Sequence, residues 1–218
     1  MTYIVTSEFA LNKAVAPRLP AATNQYDPNY INQLNNILRL YFNQLDNIVG
    51  QLSTSGGVVG VRFPYGAFSS GVDQTTTANT ATLMTLNTTD FSNDVSISSS
   101  KITVVNAGIY NLQFSVQLEN SSNAPQDVYI WLKQNGTDIT GSTGVVGMPA
   151  RKNPGDPFHA IYGWNYFLSM TAGQYIEIYW STTSADVSIQ YYAASGLPTK
   201  PATQSVVATM SFVSALPA

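Results

Sequence analysis

The sequence predicts a mainly-β sandwich preceded by an N-terminal arm and one helix. Three observations carry that prediction. Apolar residues recur at helical spacing from Ile31 to Leu52, then from Val58 onward at every second residue. Turn-forming pairs such as Asn135-Gly136 separate the alternating runs. Strands do not alternate with helices along the chain, which argues against a parallel α/β fold.

Residues 1–26 contain Pro17 and Pro20 and no sustained period, so they are expected to form an extended arm ordered against a partner. Asp27 suits a helix N-cap and Pro28 the first helical position. Ile31, Leu34, Leu38, Tyr41, Leu45, Ile48 and Leu52 then follow in alternating steps of three and four, about three heptads. Tyr30, Ile37, Phe42 and Val49 widen the stripe, which suits three helices or a helix lying on another surface. The stripe fits self-association, packing on the chain's own β-domain, or docking on a different protein. After the cap only Arg39 and Asp46 are charged, so ion pairs do not select its partner. The Gly56-Gly57 joint ends this region, giving an attachment segment 1–57 and a β-domain 58–218.

Within the β-domain, Tyr110, Leu112, Phe114, Val116 and Leu118 share one face of a strand over 108–118, with polar residues opposite. The run 126–136 continues the pattern, with Val128, Ile130 and Leu132 on one face and Tyr129, Trp131 and Lys133 on the other. Further strands are expected over 159–170, 173–183, 186–192 and 204–216, with weaker ones at 58–63, 81–86 and 100–105. In the 173–183 strand, Tyr175, Glu177 and Tyr179 oppose Ile176, Ile178 and Trp180. Two apolar faces on one strand call for cover on both sides. Tyr129, Trp131, Tyr175 and Tyr179 are therefore candidates for a subunit interface, with a monomer core or a stacked-sugar platform as the other readings.

Composition narrows the function classes. Charged residues are 10% of the 218, well under the roughly 25% of an average domain. A net charge of −3 with nine Lys and Arg argues against nucleic-acid binding. No run of about 20 apolar residues offers a membrane span, and the first residues do not resemble a signal peptide. There is no cysteine, hence no disulfide or thiolate chemistry. His159, the single histidine, has only Asp156 near it in sequence and is expected to be structural. The twelve carboxylates are scattered, most of them at turn-like positions, without calcium-loop spacing or a phosphate-binding loop. No catalytic residue, metal ligand or cofactor is expected, and hence no enzyme.

The strand motifs carry a family resemblance. "ITVVNAGIYNLQFSVQL" (102–118) is similar to a strand motif of C1q/TNF-like domains, in which Gly and Tyr precede a long alternating strand. "VYIWLKQNGTDI" (128–139), "FLSMTAGQYIEIYW" (167–180) and "ATMSFVSAL" (208–216) resemble the segments that follow in that family, in the same order. Asn106-Ala107 replaces the family's Pro before Gly, and Gly173-Gln174 replaces its Gly-Asp. The helix "YDPNYINQLNNILRLYFNQLDN" before such a domain resembles structural proteins of tailed bacteriophages. The resemblance implies a ten-stranded C1q/TNF-like jelly roll assembled as a homotrimer in the virion. The expected role is a decoration or cement protein on the outer capsid surface, contacting the major capsid protein through residues 1–52. A short tail fibre or receptor-binding protein recognising a host glycan is the alternative. Some family members bind calcium, but no acidic cluster here matches, so no metal residue is carried over.

Overall fold

The computed structural model describes residues 15–22, 24–53 and 63–216. The chain divides into two compact units, Met1–Arg62 and Phe63–Ala218.

In the first unit, residues 15–22 form neither helix nor strand. Helix α1 spans Pro28–Ser53. Its first turn is closed as the sequence predicts, with the Asn29 amide donating to Asp27 Oδ1 at 2.9 Å and the Ile31 amide to the Asp27 carbonyl at 3.2 Å. Leu34, Leu38, Tyr41, Leu45 and Ile48 are half-buried, while Ile31, Leu40, Phe42 and Val49 are exposed. A helix this apolar is stabilised chiefly by what covers its stripe, since intrinsic propensity adds little. The weak strand expected over 58–63 lies outside the described residues except for Phe63, which is in no strand.

In the second unit the strands, in chain order, begin with β1 (Tyr65–Ser70), β2 (Gln74–Thr75), β3 (Thr82–Leu83) and β4 (Thr88–Asn93). There follow β5 (Val95–Ser98), β6 (Lys101–Val104), β7 (Gly108–Asn120), β8 (Gln126–Gln134), β9 (Thr137–Asp138) and β10 (Gly144–Met148). The last are β11 (Phe158–Met170), β12 (Tyr175–Thr182), β13 (Val187–Ile189), β14 (Ser195–Gly196), β15 (Thr199–Lys200) and β16 (Val206–Ser214). With 51% strand and 12% helix, the protein is a mainly-β sandwich with one helix.

The first sheet runs β2-β13-β7-β16-β1-β4, with β11 along the other side of β7. The second runs β10-β8-β12-β6-β5, with β3 beside β12 and β9 beside β8. Both are antiparallel, and the chain repeatedly crosses between them: β7 to β8, β10 to β11, β11 to β12, and β12 to β13. Such crossings are how a two-sheet β-fold covers one apolar face with another.

The core follows from the period of two. Tyr110, Leu112, Phe114, Val116 and Leu118 of β7 are buried, as are Val128, Ile130 and Leu132 of β8 and Ile176, Ile178 and Trp180 of β12. These residues belong to one continuous cluster between the sheets. Full burial of each such side chain is worth about 1.5–3 kcal/mol, so this cluster dominates stability. Asn135 and Gly136 take φ of +50° and +79° in the turn joining β8 to β9, a conformation that suits this pair.

Along 81–86 only Thr82 and Leu83 pair as a strand, although Met84 and Leu86 are buried. The neighbouring backbone is held by a side chain instead. Gln74 accepts from the Thr85 amide through Oε1 at 2.7 Å and donates to the Thr85 carbonyl through Nε2 at 3.1 Å. One amide side chain thus takes the place of a strand partner.

Close packing at the edge of the second sheet yields a direct expectation. A Cβ added at Gly144 of β10 would collide with the Trp164 indole, whereas one at Gly147 would meet only Asp127 at ordinary contact distance. Gly144→Ala is expected to cost about 1–3 kcal/mol as an overpacking change. Gly147→Ala should stay within about 0.5 kcal/mol of wild type. Thermal melts of the two variants, side by side, check this; equal midpoints would refute the packing assigned to Trp164.

Candidate interaction surfaces

The aromatic residues singled out in the sequence all lie on the outer face of the second sheet. The β8–β12 register places Trp131 opposite Tyr179 and Lys133 opposite Glu177, with Tyr129 opposite Ser181 on one side and Val145 on the other. The Trp131 and Tyr179 rings are 5.9 Å apart and tilted by 31°. Tyr129, Trp131, Tyr175 and Tyr179 are each half-buried within the single chain.

Much of their cover comes from charged neighbours on the same chain. Lys133 lies 4.4 Å over the Tyr179 ring and Lys101, from β6, 4.4 Å over the Tyr175 ring. Each lysine also faces a carboxylate: Lys133 with Asp138 at 3.4 Å and Lys101 with Glu177 at 4.0 Å. The Trp131 indole donates to Asp138 Oδ1 at 2.7 Å. Sequence periodicity identified the rings but missed Lys101 and Asp138, because both arrive from other strands.

The outer face of the first sheet is different in kind. Ile109, Asn111, Gln113, Ser115 and Gln117 of β7, Ile161, Gly163, Asn165, Phe167 and Ser169 of β11, and Val207, Thr209, Ser211 and Val213 of β16 include no charge, and the carboxylate of Glu119 comes only at the end of this face. Ile161 is 68% exposed and Phe167 66%. A shallow groove of about 500 Å³ crosses this face, lined by Gln113, Ser115, Gly163, Asn165, Val207 and Thr209. Asn111 donates to Asn165 at 2.5 Å, cross-linking β7 to β11 within the face.

His159 stands at one end of that face, opposite Glu119 in the β7–β11 register. Tyr192 lies against both. Its hydroxyl is 2.8 Å from Glu119 Oε2 and 2.8 Å from His159 Nδ1. An ionised carboxylate only accepts, so Tyr192 donates to Glu119 and Nδ1–H of His159 donates to the tyrosine oxygen. Burial, then the Glu119 hydrogen bond, then the charges of Glu119 and Asp73 push the Tyr192 hydroxyl well above the ordinary tyrosine range. It therefore stays protonated and donates to Glu119. The arrangement ties the segment after β13 to β7 and β11, a structural role for His159. Asp156, its sequence neighbour, pairs instead with the backbone of Asn153.

Among the described residues, no three His, Asp or Glu side chains converge as metal ligands would. Nor is any described helix long and apolar enough to cross a membrane. No protein-family model matches the chain, and no curated protein matches it.

Proposed function

We propose that this chain is a structural, non-enzymatic component of a bacteriophage virion: a homotrimeric decoration or cement protein held to the outer capsid surface by its N-terminal segment. The observation that carries the reading is the outer face of the first sheet, uncharged along β7, β11 and β16 except for Glu119 at its end, with Ile161 and Phe167 standing in solvent. Interface cores are depleted in charge and enriched in aromatic and aliphatic side chains. Only 10% of the chain is charged, so a second copy is a partner as neutral as that face. The serial order of the C1q/TNF-like motifs and the two-sheet sandwich agree with this reading. The half-exposed α1 stripe of Leu34, Leu38, Tyr41, Leu45 and Ile48 supports an attachment role for the helix.

This proposal places the principal subunit contact on the first sheet in preference to the rings of the second. Burying the second face requires desolvating Lys101, Lys133 and Asp138, and desolvating ion pairs offsets most of what they gain.

Sedimentation of the full chain tests the assembly. A species of three times 23.5 kDa is expected. Phe167→Asp should weaken association by about two orders of magnitude, as charge insertion at an interface centre does, while leaving the circular dichroism of the β unit unchanged. A wild-type monomer at micromolar concentration would remove the oligomer from the proposal. Imaging of whole virions decides between head and tail.

A further inference from the structure

The outer face of the second sheet carries a second and different surface. Trp131 and Tyr179 form a tilted aromatic floor across β8 and β12. Tyr129, two residues before Trp131, extends that floor along the same face. Beside it, the β8–β9 hairpin makes a polar lip carrying Asn135 and Asp138, both exposed.

Asp138 is not a loose surface carboxylate. The Trp131 indole and the Lys133 ammonium fix it from two sides. Its side chain nevertheless remains 66% exposed, leaving acceptor capacity directed to solvent. The floor carries two lysines and two carboxylates, Lys133 with Asp138 and Lys101 with Glu177, so its charges cancel locally.

The geometry points to a binding site for a neutral pyranose sugar, stacked on Trp131 beside the Lys133-covered Tyr179 ring, with its hydroxyls bonded to Asp138 and the hairpin lip. The chemistry is complementary in each part. The axial C–H bonds of a pyranose present a weakly positive, apolar face, which matches the negative face of an aromatic ring. The equatorial hydroxyls of the same ring are donors at its edge, where a prepositioned carboxylate accepts with charge assistance. A charged sugar gains nothing from a face whose own charges are already paired. A site of this kind, open and shallow, binds single disaccharides weakly and becomes useful through several copies acting together. The inference is independent of the oligomer reading, since it uses the opposite sheet.

The test titrates the full, isotope-labelled chain with maltose, lactose and chitobiose, with sialyllactose as the charged counterpart. The readout is the Trp131 indole N–H resonance together with the amides of 129–138. At least one neutral disaccharide should shift these signals saturably. Trp131→Ala should weaken that binding by about tenfold or more, Asp138→Asn by about fivefold, and Trp131→Phe less than Trp131→Ala. Asp138→Asn keeps the shape of the site and separates lost recognition from lost fold. The assignment is overturned if no neutral disaccharide moves the indole signal, if Trp131→Ala binds like wild type, or if sialyllactose binds more tightly than lactose. Sedimentation of the same samples shows whether assembly survives, so failure of sugar binding and failure of trimer formation are separate results.

Discussion

Replacing Trp180 with alanine is expected to destabilise the β unit by about 3–5 kcal/mol, a large share of the roughly 5–15 kcal/mol that keeps a domain folded. Trp180 is fully buried, sits on β12 between Ile130 of β8 and Thr82 of β3, and belongs to the cluster joining both sheets. Its removal leaves a cavity that β-sheet backbones cannot close by small shifts. The indole Nε1–H, however, has no hydrogen-bond partner among the described residues. A buried unpaired donor costs about 1–3 kcal/mol, so Trp180→Phe loses packing but also sheds that penalty. The phenylalanine variant should therefore lie within about 1 kcal/mol of wild type. Urea unfolding of both variants measures the contrast, with slopes unchanged if only the native state is affected. An alanine variant as stable as the phenylalanine one would show that Trp180 is not the centre of this core.

Alkaline conditions should weaken the fold through Tyr110. This side chain is fully buried, donates to the Asn106 carbonyl at 2.8 Å, and is pushed up to about 12 by burial and then by the nearby Asp94 carboxylate. In the unfolded chain a tyrosine ionises near pH 10. Below pH 10 the hydroxyl is protonated in both states and its stabilisation is complete. Between about pH 10 and 12 only the unfolded state releases the proton, so stability falls as pH rises. The loss is on the order of 2–3 kcal/mol over that window. Tyr110→Phe should be less stable at neutral pH, having lost the Asn106 bond, but its stability should decline less steeply through the same window. Chemical denaturation at pH 8, 10 and 11.5 gives both slopes. Parallel slopes for the two proteins would mean that Tyr110 ionises no later in the fold than out of it.

Elements whose side chains alternate between core and solvent were visible in the sequence, and elements whose side chains do not were hidden. The run from Tyr110 to Leu118 appears as the buried face of β7, and the runs for β8, β11, β12 and β16 lie within a few residues of their observed spans. By contrast, β4 exposes nearly every residue, so no apolar period marks it; backbone pairing to β1 makes it a strand. β1 was hidden for the opposite reason. It is buried from Gly66 to Ser70, and two of those residues are serines satisfied by Asp90 and by the segment at Ser205.

The same rule holds for the surfaces. Tyr129, Trp131, Tyr175 and Tyr179 could be placed on one face by counting, because a strand fixes which neighbours share a side. Lys101 and Asp138 could not, because only the sheet order brings β6 and β9 beside them. Nor could the pairing of His159 with Tyr192 and Glu119. Those contacts span 33 residues from His159 to Tyr192 and 73 from Tyr192 to Glu119.

The place of β16 has a consequence for how this protein comes into being. The last strand of the described chain is not at an edge but between β7 and β1, holding the two halves of the first sheet together. A chain emerging from the ribosome at about 5–20 residues per second therefore carries β1 through β13 for seconds with that sheet open at its middle. Until Val206–Ser214 arrives, the apolar sides of β7 and β1 have no common neighbour, and an outer face nearly without charge offers little repulsion between nascent chains. Closing the sheet joins residues far apart in sequence, and shortening the chain within β16 removes the keystone rather than trimming an end.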